Sequence, residues 1–145
     1  MFRNRSNGPF PPCIRKSVSQ VTPQFVIAFM TITLTSIRLR KRYYFFKLSW
    51  YGFKISMQAK KTEGFIKMDN TGTGYLHYTR SAWLNETSMK TFARTGAHLH
   101  AMKQSAELAD ELCTYSYEAD ALPDWPAVKI LLAEKGKCLK FAKSK

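Results

Sequence analysis

The first 62 residues of this sequence contain no aspartate or glutamate. Glu63 is the first acidic residue, and twelve lysines and arginines precede it. The whole chain has 145 residues, 23 of them basic and 10 acidic, and a formal net charge of +13. Residues 63–145 therefore hold 11 basic and 10 acidic side chains, and +12 of the net charge lies in residues 1–62. A basic segment of this kind favours binding to nucleic-acid phosphates or to an anionic membrane surface.

The same imbalance has two further interpretations. Organelle transit peptides are also poor in acids and rich in arginine and serine. Translated non-coding DNA gives similar acid-free stretches, in which case the true start would be Met57 or Met68. We interpret residues 1–62 as a disordered extension or, at most, a marginal β-hairpin.

Cysteine is scarce, and the common cofactor motifs are absent. Cys13, Cys113 and Cys138 are odd in number, widely spaced and without a CxxC pair. This pattern predicts no disulfide framework and no zinc site, and hence a reducing compartment such as the cytoplasm or a virion. The patterns GxxxxGKS/T and GxGxxG do not occur, which excludes the usual phosphate-binding loops. We expect no metal and no cofactor.

Long hydrophobic runs are missing as well. The most apolar stretch, residues 25–37, is shorter than the roughly 20 residues that a membrane-spanning helix needs. Its β-branched side chains leave a strand, a short membrane anchor and no stable structure as alternatives. Alternation within residues 43–57 predicts a second strand, and thus a hairpin across Arg38–Arg42. The prolines of residues 1–24 predict a loop or disorder there.

Basic and aromatic residues are interleaved over residues 38–61. Exposed rings can stack on bases while lysine or arginine meets phosphate, so this segment is a candidate for binding single-stranded nucleic acid. The residues expected to make such contacts are Arg38, Arg40, Lys41, Arg42, Tyr43, Tyr44, Lys47, Trp50 and Lys54.

Residues 63–86 have the composition of a polar connector. The stretch from Asp69 to Gly74 is rich in turn-forming residues. Asn85 or Thr87 is suited to cap a following helix, because a side-chain oxygen at this position accepts from a free backbone N–H.

The segment 87–136 carries the pattern of a helical hairpin. Apolar residues recur every seven positions from Phe92 to Cys113, which predicts a helix over residues 87–117 with one apolar face. Asp124 then caps a second helix that holds Pro126 in its first turn and ends at Gly136. Residues 137–145 are expected to be a basic tail. The predicted fold class is therefore mainly α.

A hairpin of this size buries too little apolar surface to offset the entropy of ordering it. We therefore expect it to associate with itself or with another protein, with Trp125 as the central anchor. The residues predicted to form this core or interface are Phe92, Leu99, Met102, Leu108, Leu112, Trp125, Val128 and Leu131.

The second predicted helix carries a recognisable motif. Leu122, Pro123, Asp124 and Trp125, followed by Lys129-Ile130 and Ala133, give the pattern L-P-acid-W-x3-K-I-x2-A. With the upstream helix, it resembles a group of small helical proteins of tailed phages, chiefly marine ones, over residues 96–133. Pro126 and Gly136 depart from the group, which usually has a plain helix former and a longer helix at these positions. The resemblance implies an accessory or virion-associated protein.

No residue set indicates catalysis. On a helix, His98 and His100 point to opposite sides and cannot hold one ion together. Cys113 is expected to face a core, and the acids around residues 110–124 are explained by helix ends and caps. We therefore expect a non-enzymatic helical assembly protein. The alternatives are a nucleic-acid-binding protein using residues 38–61 and a protein anchored to a membrane by residues 25–37.

Overall fold

The structure is a computed structural model that describes residues 29–143. The chain alternates between strands and helices through this range. In order, the elements are β1 (Met30–Leu39), α1 (Tyr44–Lys61), β2 (Phe65–Thr73), β3 (Leu76–Trp83), α2 (Glu86–Ala93), α3 (Gly96–Leu108), β4 (Ala109–Ala119), α4 (Trp125–Lys135) and β5 (Lys137–Lys140).

The strands form one antiparallel sheet in the order β2-β3-β1-β4-β5. The central strand β1 pairs with β3 on one side and with β4 on the other. Two crossovers build this order, since α1 connects β1 to β2 and the pair α2–α3 connects β3 to β4. The prediction of a mainly α protein is therefore wrong, because the described chain is an α+β sheet protein.

The two faces of the sheet are covered by different helices. One face packs against α4 through a core of six residues: Ile32, Leu34, Ala82, Cys113, Val128 and Leu132. On the other face, under α1 and α2, a smaller core joins Ala59, Trp83 and Phe92. Successive residues of a strand point to opposite faces, so Trp83 and its neighbour Ala82 belong to different cores.

The helix predicted over residues 87–117 is divided into three elements. Gly96 begins α3 with φ +59°, in the left-handed region that glycine adopts readily, and separates it from α2. The chain then leaves the helix at Ala109 and continues as β4. Leu112 and Cys113 are both buried because β4 has a helix on each face. The N-terminal partner of the predicted hairpin is therefore a strand at this point, and the hairpin prediction is wrong.

The N-terminal predictions are corrected in a similar way. From Met30 onward the apolar run forms β1, so a strand is the alternative that the structure supports. The segment predicted as a second strand is the helix α1, and the polar connector forms the hairpin of β2 and β3. The predictions for residues 1–28 lie outside the described residues. No described helix is long and apolar enough to cross a membrane.

The predicted caps of two helices and the end of the second predicted helix are confirmed, whereas the predicted end of the first helix at residue 117 lies in β4. Asn85 Oδ1 accepts from the Ser88 N–H at 2.8 Å and caps α2. Asp124 Oδ1 accepts from the Ala127 N–H at 2.9 Å, Pro126 lies in the first turn of α4, and Gly136 ends this helix.

Trp125 was expected to anchor the second helix against Leu108, Leu112 or Cys113, and of these three only Cys113 belongs to the core that it packs against. Trp125 is half-buried at the start of α4 and packs against the core of Ile32 and Leu34, whereas Leu108 faces the opposite side of the sheet. The Arg80 guanidinium lies 4.5 Å from the centre of its ring and also binds Asp69 at 3.0 Å. Arg80 therefore connects the start of α4 to strands β2 and β3.

Residues 137–145 were expected to be a basic tail, and Lys137–Lys140 of this stretch form the edge strand β5. Cys113 and Cys138 face each other across β4 and β5 and form a disulfide bond. The prediction that these cysteines do not pair is wrong, because a separation of 25 residues becomes a direct cross-strand contact after the chain has passed through α4.

Candidate functional site

A row of hydroxyl side chains lies on the face of the sheet that α1 and α3 cover. The register sets Thr33 opposite Ser81 and Ser116, and sets Thr35 opposite Thr79 and Thr114. Directly paired residues point to the same face, so these six side chains share one surface. In β1 the sequence Thr-Ile-Thr-Leu-Thr sends hydroxyls to this face and the apolar residues to the α4 core.

A cavity of about 780 Å³ lies between this hydroxyl floor and the helices. Its walls are mostly apolar and aromatic. The helical residues that line it include Phe45, Leu48, Tyr51, Phe53, Ile55, Met89, Phe92, Met102 and Leu108. Pockets with apolar walls and a few convergent polar groups are the usual sites for small organic ligands.

The hydroxyls of the floor differ in their hydrogen bonding. Trp83 Nε1 donates to Ser81 Oγ at 3.0 Å, and the Oγ atoms of Thr33 and Ser116 are 3.0 Å apart. Within residues 29–143, Thr35 and Thr114 form no side-chain hydrogen bond. These two hydroxyls are therefore available to a molecule in the cavity.

His98 is held on the cavity wall with a defined tautomer. Its Nδ1 lies 3.0 Å from the Ala93 carbonyl oxygen. A carbonyl only accepts, so Nδ1 must carry the proton, and Nε2 of the neutral ring is then an unprotonated acceptor. Burial lowers the pKa of His98 below its ordinary value, because the charged ring is poorly solvated there. The residue is therefore a neutral base beside the cavity.

Gln58 fixes the position of His98. Its Nε2 donates to the Thr95 carbonyl at 2.8 Å, and its Oε1 accepts from the backbone N–H of His98 at 2.9 Å. An added Cβ at Gly96 would lie 3.0 Å from the Gln58 side chain. The glycine thus allows α1 to approach the start of α3 closely.

A second histidine lies at the opposite end of the cavity. His77 Nε2 is 3.1 Å from the Gly74 carbonyl oxygen, which makes Nδ1 the acceptor of the neutral ring. Its ring stacks on Phe45 at 5.4 Å. His100, by contrast, is exposed and contacts Tyr51 edge-on at 5.7 Å. His98 and His100 therefore lie on different sides of α3.

The predicted helical interface is divided between two faces of the sheet. Phe92, Met102, Leu108 and Leu112 line the cavity, and Leu99 is half-buried on α3. Trp125, Val128 and Leu131 belong to the core under α4. These residues therefore do not form the single seam that the sequence predicted.

The residues predicted to contact nucleic acid are also dispersed. Several are already engaged: Arg38 pairs with Glu111, Arg40 binds Asp110 and the Ala109 carbonyl, and Lys47 pairs with Glu107 at 3.1 Å. Tyr44 begins α1 and is half-buried. The members on the exposed surface are Lys41, Arg42, Tyr43, Trp50 and Lys54.

Potential metal ligands come together at one place in the described chain. Glu111, Cys113 and Cys138 offer ligand atoms within 4.8 Å of one another. Both sulfur atoms are in the disulfide bond, so neither is a thiolate ligand in this state.

The sheet order, the two crossovers and the helices over one face define a ferredoxin-like α+β fold. No protein-family model matches the sequence, and neither does any curated protein. Similarity is found among solved structures, at identities that show the fold alone.

One similar structure is SnoaB, a cofactor-independent oxygenase from Streptomyces nogalater. It matches with a TM-score of 0.52 and 8% identity, over 68% of this chain and 99% of that one. A candidate antibiotic biosynthesis monooxygenase from Nitrosomonas europaea matches with a TM-score of 0.56 and 13% identity, over 62% of this chain and 89% of that one. A dimeric protein of unknown function with a ferredoxin-like fold, from Bacteroides fragilis, matches with a TM-score of 0.53 and 18% identity, over 62% of this chain and 96% of that one.

Proposed function

We propose that the protein binds a flat, mostly apolar organic molecule in the cavity under α1 and α3, and that it oxygenates this molecule without a cofactor. The observation that carries the proposal is the cavity itself. Rings would be buried against residues such as Phe92 and Met102, and polar substituents would be positioned by the floor hydroxyls, above all Thr35 and Thr114.

The oxygenation step follows from the neutral base. His98 Nε2 would take a proton from an acidic C–H group of the substrate, and the carbanion's electron pair would form a C–O bond to dioxygen. Loss of the second hydrogen from this carbon and cleavage of the O–O bond give a carbonyl group and one water. The substrate supplies all the electrons, so dioxygen is the only co-reactant. The descriptions of two fold neighbours, an oxygenase and a candidate monooxygenase, support this reaction class.

The structure gives no support to the assembly role expected from the sequence. It depended on an apolar seam between two helices, and the residues of that seam lie on opposite faces of the sheet. Four residues of the predicted seam, Phe92, Met102, Leu108 and Leu112, line the cavity instead.

Binding is tested with a panel of hydroxylated tricyclic aromatics, titrated into the full-length protein and followed by tryptophan fluorescence. Thr35→Val and Thr114→Val remove a hydroxyl with little change of shape, and each is expected to weaken the best ligand about tenfold. Thr73→Val, at an exposed strand end, is the matched control. Equal affinities for all three variants would contradict the site.

Turnover is tested separately. Compounds that bind and carry an acidic methylene group are incubated with protein under labelled dioxygen, and mass spectrometry follows the label into a carbonyl product. His98→Gln is expected to keep binding and to lose most of the turnover, whereas His100→Gln should keep both. If these compounds bind and the protein converts none of them, the oxygenase proposal is refuted while the binding site stands.

A further inference from the structure

The outer face of α1 carries a continuous apolar stripe. Phe46, Trp50, Phe53 and Met57 are exposed to 77%, 57%, 59% and 43%. Their spacings of four, three and four residues place them along one line of a helix with about 3.6 residues per turn. Trp50 and Phe53 stack with ring centres 6.2 Å apart. An unbroken line of large exposed apolar side chains indicates a surface that is covered by a partner.

Lysines border this stripe and are not neutralised. Lys54 lies over the Trp50 ring, with Nζ 5.1 Å from its centre. Lys60 and Lys61 follow Met57 at the end of the helix, and α1 contains no acidic residue. Lys47 is the one lysine of this helix with an acidic partner among residues 29–143, namely Glu107. The stripe is therefore an apolar surface within a positively charged border.

We propose that α1 docks this stripe on an anionic lipid bilayer, lying parallel to the membrane surface. Aromatic side chains on one face and lysines beside them are the pattern of helices that bind at the lipid headgroup boundary. The rings would enter the acyl boundary, while each lysine kept its charged end among the headgroups.

The charge distribution favours this occupant over the alternatives. A second copy of the same face would set Lys54, Lys60 and Lys61 of each molecule against one another. Nucleic acid would meet the lysines, but the Trp50 indole N–H is the one hydrogen-bonding group among the four side chains of the stripe, and Met57 provides no ring for stacking. Phe53 also lines the cavity, so docking would set an edge of the cavity at the membrane.

The test measures cosedimentation of full-length protein with vesicles of phosphatidylcholine, alone or mixed with phosphatidylglycerol. We expect binding to the anionic vesicles, little to the neutral ones, and a decrease with added salt. Trp50→Gln with Phe53→Gln should lower the binding constant about tenfold or more. Lys54→Glu with Lys61→Glu should abolish the preference for phosphatidylglycerol.

Two controls separate the stripe from general surface effects. Ile130→Gln removes from α4 an apolar side chain that is 57% exposed, as Trp50 is. Lys103→Glu removes an exposed lysine from α3. Both should bind as the unmodified protein does. The proposal is overturned if the stripe variants bind vesicles normally. It is also overturned if the stripe variants lose self-association or binding to a single-stranded oligonucleotide while vesicle binding is unchanged.

Discussion

At the scale of single residues, burial determines the protonation behaviour of His98. Its pKa lies below the ordinary value of 6.5 because the cavity wall solvates the charged ring poorly; the hydrogen bond to Ala93 opposes this shift but is the smaller effect. In the unfolded chain the ring takes up a proton near its ordinary pKa. Between that value and the lower native pKa, the unfolded state therefore binds more protons than the native state.

This difference gives a pH dependence with a defined sign. The stability contribution of a neutral His98 is complete above pH 6.5 and declines as the pH falls from 6.5 toward the native pKa. We expect the free energy of unfolding, measured with urea, to decrease in this window by more in the unmodified protein than in His98→Gln. His100→Gln is the control and should behave as the unmodified protein does. A pH profile unaffected by His98→Gln would contradict the assignment.

At the scale of elements, the sequence predicted the helix caps correctly but did not distinguish strands from helices. Asn85 and Asp124 were recognisable as caps because capping depends on one side chain and its local backbone. The identity of β4 could not be read in this way. Leu112 points to α3 and Cys113 to α4, and two adjacent apolar residues on a doubly covered strand continue the seven-residue pattern of the preceding helix.

The helix α1 was mistaken for a strand for a related reason. Its buried side is small, and its solvent side carries Phe46 and Trp50 where polar residues would be usual. With Leu48 on the cavity side, these residues alternate with polar ones as a strand would. Exposed apolar residues that serve a partner obscure the helical period, because that period is visible only when hydrophobicity follows burial.

The pairing of β4 with β5 depends partly on the Cys113–Cys138 disulfide. Closing a loop of 25 residues is expected to stabilise the fold by about 3 kcal/mol. We predict that a reducing agent lowers the free energy of unfolding by about this amount and that Cys138→Ser has the same effect. Reduction of the Cys138→Ser variant is the control and should change nothing further.

β5 should stay paired after reduction. The Phe141 N–H donates to the Asp110 carbonyl at 2.9 Å, and Arg40 donates to the Ala142 carbonyl at 3.3 Å. Hydrogen exchange of the β4 amides would test this. If the β4 amides that pair with β5 exchange freely after reduction, the disulfide alone holds β5 on β4.

At the scale of the whole molecule, the cavity floor is assembled from distant parts of the chain. Thr33 contacts Ser81 and Ser116, which are 48 and 83 residues away in sequence. The signal for one part of it was present in β1, where hydroxyl and apolar residues alternate. Polar residues on a strand are ordinarily assigned to solvent, and nothing local shows that helices cover them. The site could therefore not be predicted before the sheet order was known.

Because β1 is the central strand, we expect a chain without it to lose cooperative folding. A chain starting at Met57 would lose β1 and most of α1, and with them Ile32 and Leu34 of the α4 core. β3 and β4 would each lose their common neighbour, so both would expose an unpaired edge and an uncovered face. We expect this fragment to show no cooperative thermal transition by circular dichroism.

The matched control removes an edge instead of the centre. A chain ending at Gly136 lacks β5 and the disulfide but keeps both cores, so it should unfold cooperatively at a lower temperature than the full chain. The comparison contrasts the loss of an edge strand with the loss of the central strand and most of α1, and only the second deletion divides the sheet. Cooperative folding of the fragment from Met57 would mean that the two halves of the sheet do not depend on the strand between them.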